Sequence, residues 1–311
     1  MNSGSTSLQF FCAGLLLSGL SLVPAYAWLM DDIYVLTLFG RILAFALAAL
    51  GLNLALGFGG MVSLGHAMYI GLGAYSVGIL SSLGIHAGWI HIMTAILITI
   101  VVATPLSWVA LRTQGIAFIM ITLAFAQLFY YVFVSLKMFG GDDGISLQRL
   151  SEFGVLTGNK FAIYIFLLIS LLGALWLMHH LVNSRFGLLL RASKTNNRRV
   201  LALGAHSLSY RMTAYVISAV LCALAGFFLA NLTGFVSPAM MTWAVSGELI
   251  VMVLLGGMGS VFGPIVGALA LLLTEEALKL LTERWPMILG PMIILIVFYL
   301  KRGLWGLWGS R

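Results

Sequence analysis

Long runs of apolar residues, separated by short polar or glycine-rich stretches, repeat along almost the whole chain. Each run is close to the roughly 20 residues that an α-helix needs to cross the hydrocarbon core of a bilayer, or is somewhat shorter. The pattern therefore predicts membrane-spanning helices at residues 8–30, 33–57, 62–83, 90–111, 116–136, 161–183, 212–232, 246–260, 263–281 and 286–300.

Two glycine-rich junctions leave the number of spans between about eight and ten. Segments 33–57 and 62–83 meet at Gly57–Gly60, and segments 246–260 and 263–281 meet at Gly256–Ser260. Each pair is either two spans or one re-entrant hairpin, because glycine permits a sharp reversal of the chain. Both alternatives place the junction inside the bundle, where protein or water can surround non-helical backbone. We expect an all-α fold, a polytopic transmembrane helix bundle forming one domain over residues 1–311.

The two junctions share the pattern G-G-M-x-S, at Gly59–Ser63 and at Gly256–Ser260. This similarity is either the trace of an internal repeat or a coincidence in a glycine-rich chain. Many transporters are built from structural repeats whose broken helices meet at the substrate pathway, so a repeat would point to such a pathway here.

Composition supports the membrane assignment. Of the 311 residues, 61% are apolar and only 8% are charged, whereas about a quarter are charged in a soluble domain. An ordinary soluble fold is therefore excluded. No Lys or Arg precedes Arg41, so the small-residue sequence Ala25-Tyr26-Ala27 lacks the basic region of a secretory signal, and we expect a retained first span. Cys12 and Cys222 lie in apolar runs and are expected to be buried rather than to form a disulfide or a metal site.

The basic residues predict the orientation in the membrane. One loop between two spans carries Arg185, Arg191, Lys194, Arg198, Arg199 and Arg211 without any acidic residue. Basic loops stay in the cytoplasm, so both termini are expected there and Asp142-Asp143 outside. The net charge of +7 is explained by this bias, and we expect no nucleic-acid partner.

Polar residues within apolar runs are candidates for the translocation pathway, because they are costly in a bilayer. Hydrogen bonds that hold neighbouring helices together are an equal alternative for them. Glu275 and Glu276 precede Lys279 by four and three residues, which predicts a structural ion pair on one helix face. His66 has no second metal ligand at suitable spacing, so no metal site is expected. The pathway candidates are Asn53, Gly59, Gly60, Ser63, His66, Gln127, Gly256, Gly257 and Ser260.

Four stretches occur in an order that resembles the LivM-type permeases of branched-chain amino-acid ABC transporters. Together they cover most of the chain from about residue 50 to 300. They are Gly51–His66 continuing through Gly71–Tyr75, Arg112–Gln127 followed by Gly140–Ile145, Phe186–Gly204, and Ser246–Pro264.

The resemblance implies a non-enzymatic subunit in a bacterial inner membrane that imports leucine, isoleucine or valine. It also implies three kinds of partner: a second permease of LivH type, two cytoplasmic ABC ATPases and a periplasmic substrate-binding protein. No Lys in the chain follows a Gly, so the phosphate-binding pattern G-x-x-x-x-G-K-[ST] is absent and the chain is expected to bind no cofactor.

The resemblance further implies that the cytoplasmic loop at about residues 184–211 docks on the ATPases. The alternative is that its arginines set the topology and bind anionic membrane lipid; both roles are compatible. The residues assigned to this coupling loop are Arg185, Arg191, Ala192, Arg198, Arg199, Ala202 and Gly204.

Two other functions stay open at this point. A related importer of urea or short amides shares the glycine-rich motifs, and an ion-coupled secondary transporter would need buried carboxylates, which are few here. For branched-chain substrates we expect a largely apolar pathway without a dedicated charged site, since side chains of this kind are distinguished by shape.

Overall fold

Each predicted apolar run contains a helix, although residues 62–65 and 257–260 at the glycine-rich junctions are not helical. The structure is a computed structural model that describes residues 3–153, 159–299 and 303–308. Its α-helices are α1 Ser3–Met30, α2 Ile33–Asn53, α3 His66–Ser82, α4 Gly88–Ala110, α5 Ile116–Ser135, α6 Lys160–Asn183, α7 Arg185–Thr195, α8 Asn197–Ala202, α9 Ser207–Thr233, α10 Trp243–Gly256, α11 Gly263–Leu281 and α12 Trp285–Tyr299. The all-α bundle is thus confirmed.

Each glycine-rich junction joins two separate helices. A π-helical turn at Leu54–Phe58 extends α2 before the chain reverses into α3, and residues 257–262 join α10 to α11. Within the described residues, five helices meet the length and hydropathy of a full span, α2 with its π-helical turn, α4, α5, α6 and α9. The 14 residues of α10 extend only about 21 Å, which is shorter than a bilayer core.

The loops divide between two ends of the bundle. One end, called the basic end, carries residues 57–65, 111–115, 184–206 and 257–262, and the Lys194 ammonium there contacts the Gly57 carbonyl. The other end, called the acidic end, carries residues 31–32, 83–87, 136–153, 234–242 and 282–284. There β1 Ile145–Ser146 pairs antiparallel with β2 Phe235–Val236, and Gly88 N–H donates to Glu152 O at 2.7 Å.

All nine acidic residues of the chain lie at the acidic end or in the helical turns next to it. The predicted ion pair is confirmed there, since Lys279 Nζ lies 2.6 Å from Glu275 Oε1, and Arg41 of α2 joins the same carboxylate at 3.6 Å. The acidic residues are Asp31, Asp32, Asp142, Asp143, Glu152, Glu248, Glu275, Glu276 and Glu283.

Helices α2, α3 and α9 form the centre of the bundle, and their backbones approach closely. A Cβ added at Gly73 of α3 would overlap the backbone carbonyl of Ala223 in α9, and one added at Gly226 would overlap that of Ile70. Small residues allow such contact between membrane helices, where dispersion replaces the hydrophobic effect as the driving force. Helix α1 packs beside this centre against α2 and α6, and Tyr164 OH of α6 donates to Leu20 O at 2.9 Å.

Gly73→Ala is expected to destabilise the protein, because the added methyl group must push α3 and α9 apart at their backbone contact, a cost of about 1–3 kcal/mol. Gly78→Ala, on the same helix, is the matched control: its Cβ would make ordinary van der Waals contacts with the side chains of Ile145 at 3.4 Å and Val236 at 3.6 Å. Thermal denaturation in detergent, followed by loss of the monodisperse species, should show a lower midpoint for Gly73→Ala alone. Equal midpoints for the two variants would contradict this packing.

Candidate functional site

The two glycine-rich junctions lie against each other, and a single side chain joins them. Asn53, which is fully buried, donates from Nδ2 to Ser260 O at 2.8 Å. Its Oδ1 accepts from the N–H of Gly259 at 3.0 Å. The carboxamide thus bonds one donor and one acceptor of the second junction. Asn53 itself lies at the start of the first junction, 206 residues before Gly259 and 207 before Ser260.

Glycine at position 57 makes this contact possible. A Cβ there would overlap Asn53 Oδ1 and would lie 2.7 Å from the Gly259 nitrogen. The second junction is held further by Ser260, whose Oγ donates to Gly257 O at 2.8 Å and accepts from Gly263 N–H at 3.0 Å. This serine therefore caps the first turn of α11.

Four consecutive carbonyls at the end of the first broken helix, those of residues 54–57, are hydrogen-bonded. The carbonyls of residues 54–56 accept from the N–H groups of residues 59–61 at 2.9–3.1 Å. The next carbonyl, that of Gly57, accepts instead from Lys194 Nζ of α7 at 2.8 Å. Since no water is available in a bilayer core, a helix break there requires such partners. Lys194 thus connects the segment 184–206 with the first junction.

A second group of buried polar side chains surrounds the beginning of α3. Ser63 Oγ lies 3.4 Å from Tyr215 OH and accepts from Gly65 N–H. His66 Nε2 lies 2.9 Å from Ser218 Oγ of α9. Ser246 of α10 accepts from the N–H of Ala67 at 2.9 Å. These bonds satisfy donors that the first turn of a helix leaves free, and they tie α3 to α9 and α10.

The pathway candidates predicted from sequence therefore separate into two groups. Asn53 and Ser260 come together where Gly57 meets Gly259, while Ser63 and His66 belong to the cluster at the start of α3. Gly59, Gly60, Gly256 and Gly257 belong to the same two junctions without a recorded contact between one junction and the other. Gln127 is partly buried on α5 and makes none of the bonds to the junctions. A role for any of them in translocation stays a prediction.

The residues predicted for the coupling loop lie on α7, α8 and the turn after α8. Arg185, Ala192, Arg198, Arg199 and Ala202 are exposed, and Gly204 has a positive φ of 79°.

Arg191 differs from these residues, because its guanidinium is bonded within the chain, to Gly187 O at 3.2 Å and to Val182 O at 3.1 Å. It therefore fixes the joint between α6 and α7 in addition to carrying charge.

Several residues of the site were not singled out by the sequence analysis. Lys194 was interpreted only as one charge of the basic loop, and Tyr215 and Ser218 were not considered. Tyr215 and Ser218 are spaced three residues apart in an apolar run, so they share one face of α9. That spacing was the available signal. For Lys194 no signal existed, since its partner is a backbone carbonyl 137 residues away.

A polytopic bundle with paired helix interruptions is the architecture of a membrane transporter. The chain belongs to the family described as the permease component of branched-chain amino acid transport systems, which matches residues 34–299.

Individual relatives support this membership. The chain is 26% identical over 285 residues to the high-affinity branched-chain amino acid permease proteins LivM of Salmonella typhimurium and of Escherichia coli K12, covering 84% of this chain and 67% of each relative. It is 25% identical over 281 residues to the permease protein LivH of Escherichia coli K12, covering 84% of this chain and 91% of LivH. No solved structure matches the chain.

Asn53→Leu is expected to lower the stability of the protein, because it removes the two hydrogen bonds that the buried amide makes to Gly259 N–H and to the Ser260 carbonyl, at about 0.5–1.5 kcal/mol each. Gln127→Leu is the matched control, since it makes a similar change from amide to alkyl away from these bonds. The thermal midpoint in detergent should fall by several degrees for Asn53→Leu and hardly change for Gln127→Leu. A midpoint of Asn53→Leu equal to that of the wild type would show that the junctions do not depend on this amide.

Proposed function

We propose that this chain is the membrane-spanning permease subunit of an ATP-driven importer of leucine, isoleucine and valine. In this proposal it pairs with a second, related permease of LivH type, two cytoplasmic ABC ATPases supply the energy, and a periplasmic binding protein delivers the substrate. Family membership supports the permease role, and the names of the relatives support branched-chain amino acids as the cargo.

The observation that carries the proposal is the contact between Lys194 and Gly57. A permease driven from outside needs a connection between the surface that its motor moves and the segment that opens the pathway. Here α7 lies on the surface of the basic end, and its Lys194 Nζ donates to a carbonyl at the break of the first helix, at 2.8 Å. The stem of the same lysine packs over Gly60. A displacement of α7 would therefore act on the junction directly.

The short helix α8 and the turn after it present a surface suited to a soluble partner. Leu201 and Leu203 are 52% and 85% exposed, and Arg198 and Arg199 stand beside them on the same short helix. Exposed leucines next to cations match an apolar groove with an acidic rim. We propose that this surface docks into the ATPase, with anionic lipid as a second contact for the arginines.

The charge distribution supports an orientation with the basic end in the cytoplasm. Arg112, Arg185, Arg198 and Arg199 are exposed at the basic end, while all acidic residues lie toward the opposite end. Under the positive-inside rule the basic end faces the cytoplasm of a bacterial inner membrane, with both termini on that side.

Reconstitution tests the proposal directly. Proteoliposomes that contain the complete complex should take up radiolabelled leucine only when ATP and the binding protein are both supplied. Uptake by this chain alone, driven by an ion gradient, would contradict the proposal and indicate a secondary transporter. ATP-driven uptake of urea without uptake of leucine would support the ATP-driven mechanism and contradict branched-chain amino acids as the cargo.

Gly204→Leu is expected to abolish both uptake and the stimulation of ATP hydrolysis while the protein still inserts in the membrane. The left-handed backbone at this position disfavours a side chain by about 1–2 kcal/mol, so the turn that places Leu201 and Leu203 must change. Gly84→Leu is the matched control, because Gly84 has the same φ of 79° and the same open surroundings but lies at the acidic end. Wild-type uptake by Gly204→Leu would show that this turn is not part of the docking surface.

A further inference from the structure

A cavity of about 220 Å³ opens at the basic end, between the first junction, the start of α5 and the coupling loop. It is smaller than the roughly 300–1,000 Å³ of pockets that hold drug-sized ligands, so it suits a molecule the size of an amino acid. Its polar wall is formed by Ser193, Lys194, Asn197, Arg211 and Gln114, and its apolar wall by Met61, Val62, Phe118 and Ile119.

The polar wall carries positive charge that the protein does not neutralise. Among the described residues, every ion pair involves Glu275 or Glu276 at the acidic end, and no carboxylate pairs with Arg211 or Lys194. The nine acidic residues of the chain all lie toward the acidic end. Lys194 uses one donor on Gly57 O, and an ammonium has two more. In the described part of the chain, therefore, no carboxylate supplies a counter-charge for this cavity.

An unbonded acceptor lies in the same wall. Asn197 Oδ1 is buried and has no hydrogen-bond partner in the described part of the chain. Buried polar atoms are nearly always bonded, and an exception of this kind is expected where a ligand supplies the missing partner. A carbonyl oxygen calls for a donor, such as an ammonium group. A phosphate or a lipid headgroup phosphate would satisfy the cations but would leave this acceptor unbonded.

We propose that the cavity binds a free amino acid with a branched apolar side chain from the cytoplasmic side. Arg211 and Lys194 hold its carboxylate, Asn197 Oδ1 accepts from its ammonium, and Val62, Phe118 and Ile119 contact its side chain. This inference rests on the function and orientation proposed above. It differs from the sequence-based expectation that no charged site accompanies the pathway.

Occupancy of the cavity would link three elements that have to move relative to one another. The ligand would contact the first junction, the start of α5 and the segment from α7 to α9 at once, and so would oppose a displacement of α7. Product that accumulates inside the cell would therefore inhibit further import. Such feedback from the product side costs no additional domain, since the site lies where the amino acid leaves the protein.

The test uses proteoliposomes of the complete complex with the ATPases facing the lumen, loaded with ATP and increasing unlabelled leucine. The initial rate of labelled leucine uptake from outside, relative to the rate with a lumen free of leucine, should fall as internal leucine rises. Internal glycine should inhibit much less. Arg211→Gln removes a charged hydrogen bond, so the half-inhibiting concentration should rise roughly ten- to a hundredfold.

Two further variants make the result specific. Val62→Trp fills the cavity from its apolar wall and should also remove the inhibition. Arg112→Gln, which removes an exposed cation of the basic end that lies outside the cavity lining, should keep the wild-type half-inhibiting concentration. Equilibrium binding of labelled leucine to the purified complex without its binding protein should weaken in Arg211→Gln and Val62→Trp and stay unchanged in Arg112→Gln.

The outcomes separate this inference from the proposed function. Loss of ATP-driven uptake even into leucine-free vesicles of the wild-type complex would overturn the proposed function itself. Uptake that proceeds normally but is insensitive to internal leucine, or equally sensitive in Arg211→Gln, would overturn the inference alone. Inhibition that follows the anionic lipid content of the vesicles and not internal leucine would assign the cavity to a lipid headgroup and would also overturn it.

Discussion

The hydrogen bonds of the Asn53 carboxamide hold the two halves of the bundle in register. A broken helix inside a bilayer frees peptide groups that water cannot reach, and each has to find a partner in the protein. Asn53 is the hydrogen-bond partner of two peptide groups in the second junction, and Lys194 is the partner of one peptide group in the first. Asn53 therefore connects the two junctions to each other, and Lys194 connects the first of them to α7.

The separation of charge along the bundle follows from the same shortage of water. Carboxylates collect at the acidic end, where Glu275 is shared by Arg41 and Lys279, whereas in the described part of the chain the cations of the basic end have no carboxylate partner. A charge without a counter-charge is tolerable only where solvent, lipid or a ligand is available. The basic end is therefore the end that is suited to bind other molecules, whether an ATPase on α8 or an amino acid in the cavity.

The sequence predicted the helices well because length and hydrophobicity decide them. The apolar runs and the glycine-rich junctions were found. The basic segment 184–211 begins where α6 ends, but its last five residues, 207–211, belong to the start of α9. What could not be predicted are contacts across long sequence distances. The match between Gly59–Ser63 and Gly256–Ser260 suggested that the junctions are related, but not that Asn53, six residues before Gly59, joins them. Likewise, Lys194 and Arg198 are both exposed basic residues of the same loop. No local feature of the sequence shows that Lys194 is the one that bonds to the first junction.

The central claim is that Lys194 transmits movement of the coupling loop to the first junction, at the end of α2. The most direct measurement is the number of ATP molecules hydrolysed per leucine imported by the Lys194→Met complex in proteoliposomes. If the contact between Lys194 and Gly57 couples ATP hydrolysis to import, hydrolysis continues in the variant while import falls. The ratio of ATP hydrolysed to leucine imported then rises several-fold above that of the wild type. A ratio equal to that of the wild type, at comparable rates of hydrolysis, would contradict the account.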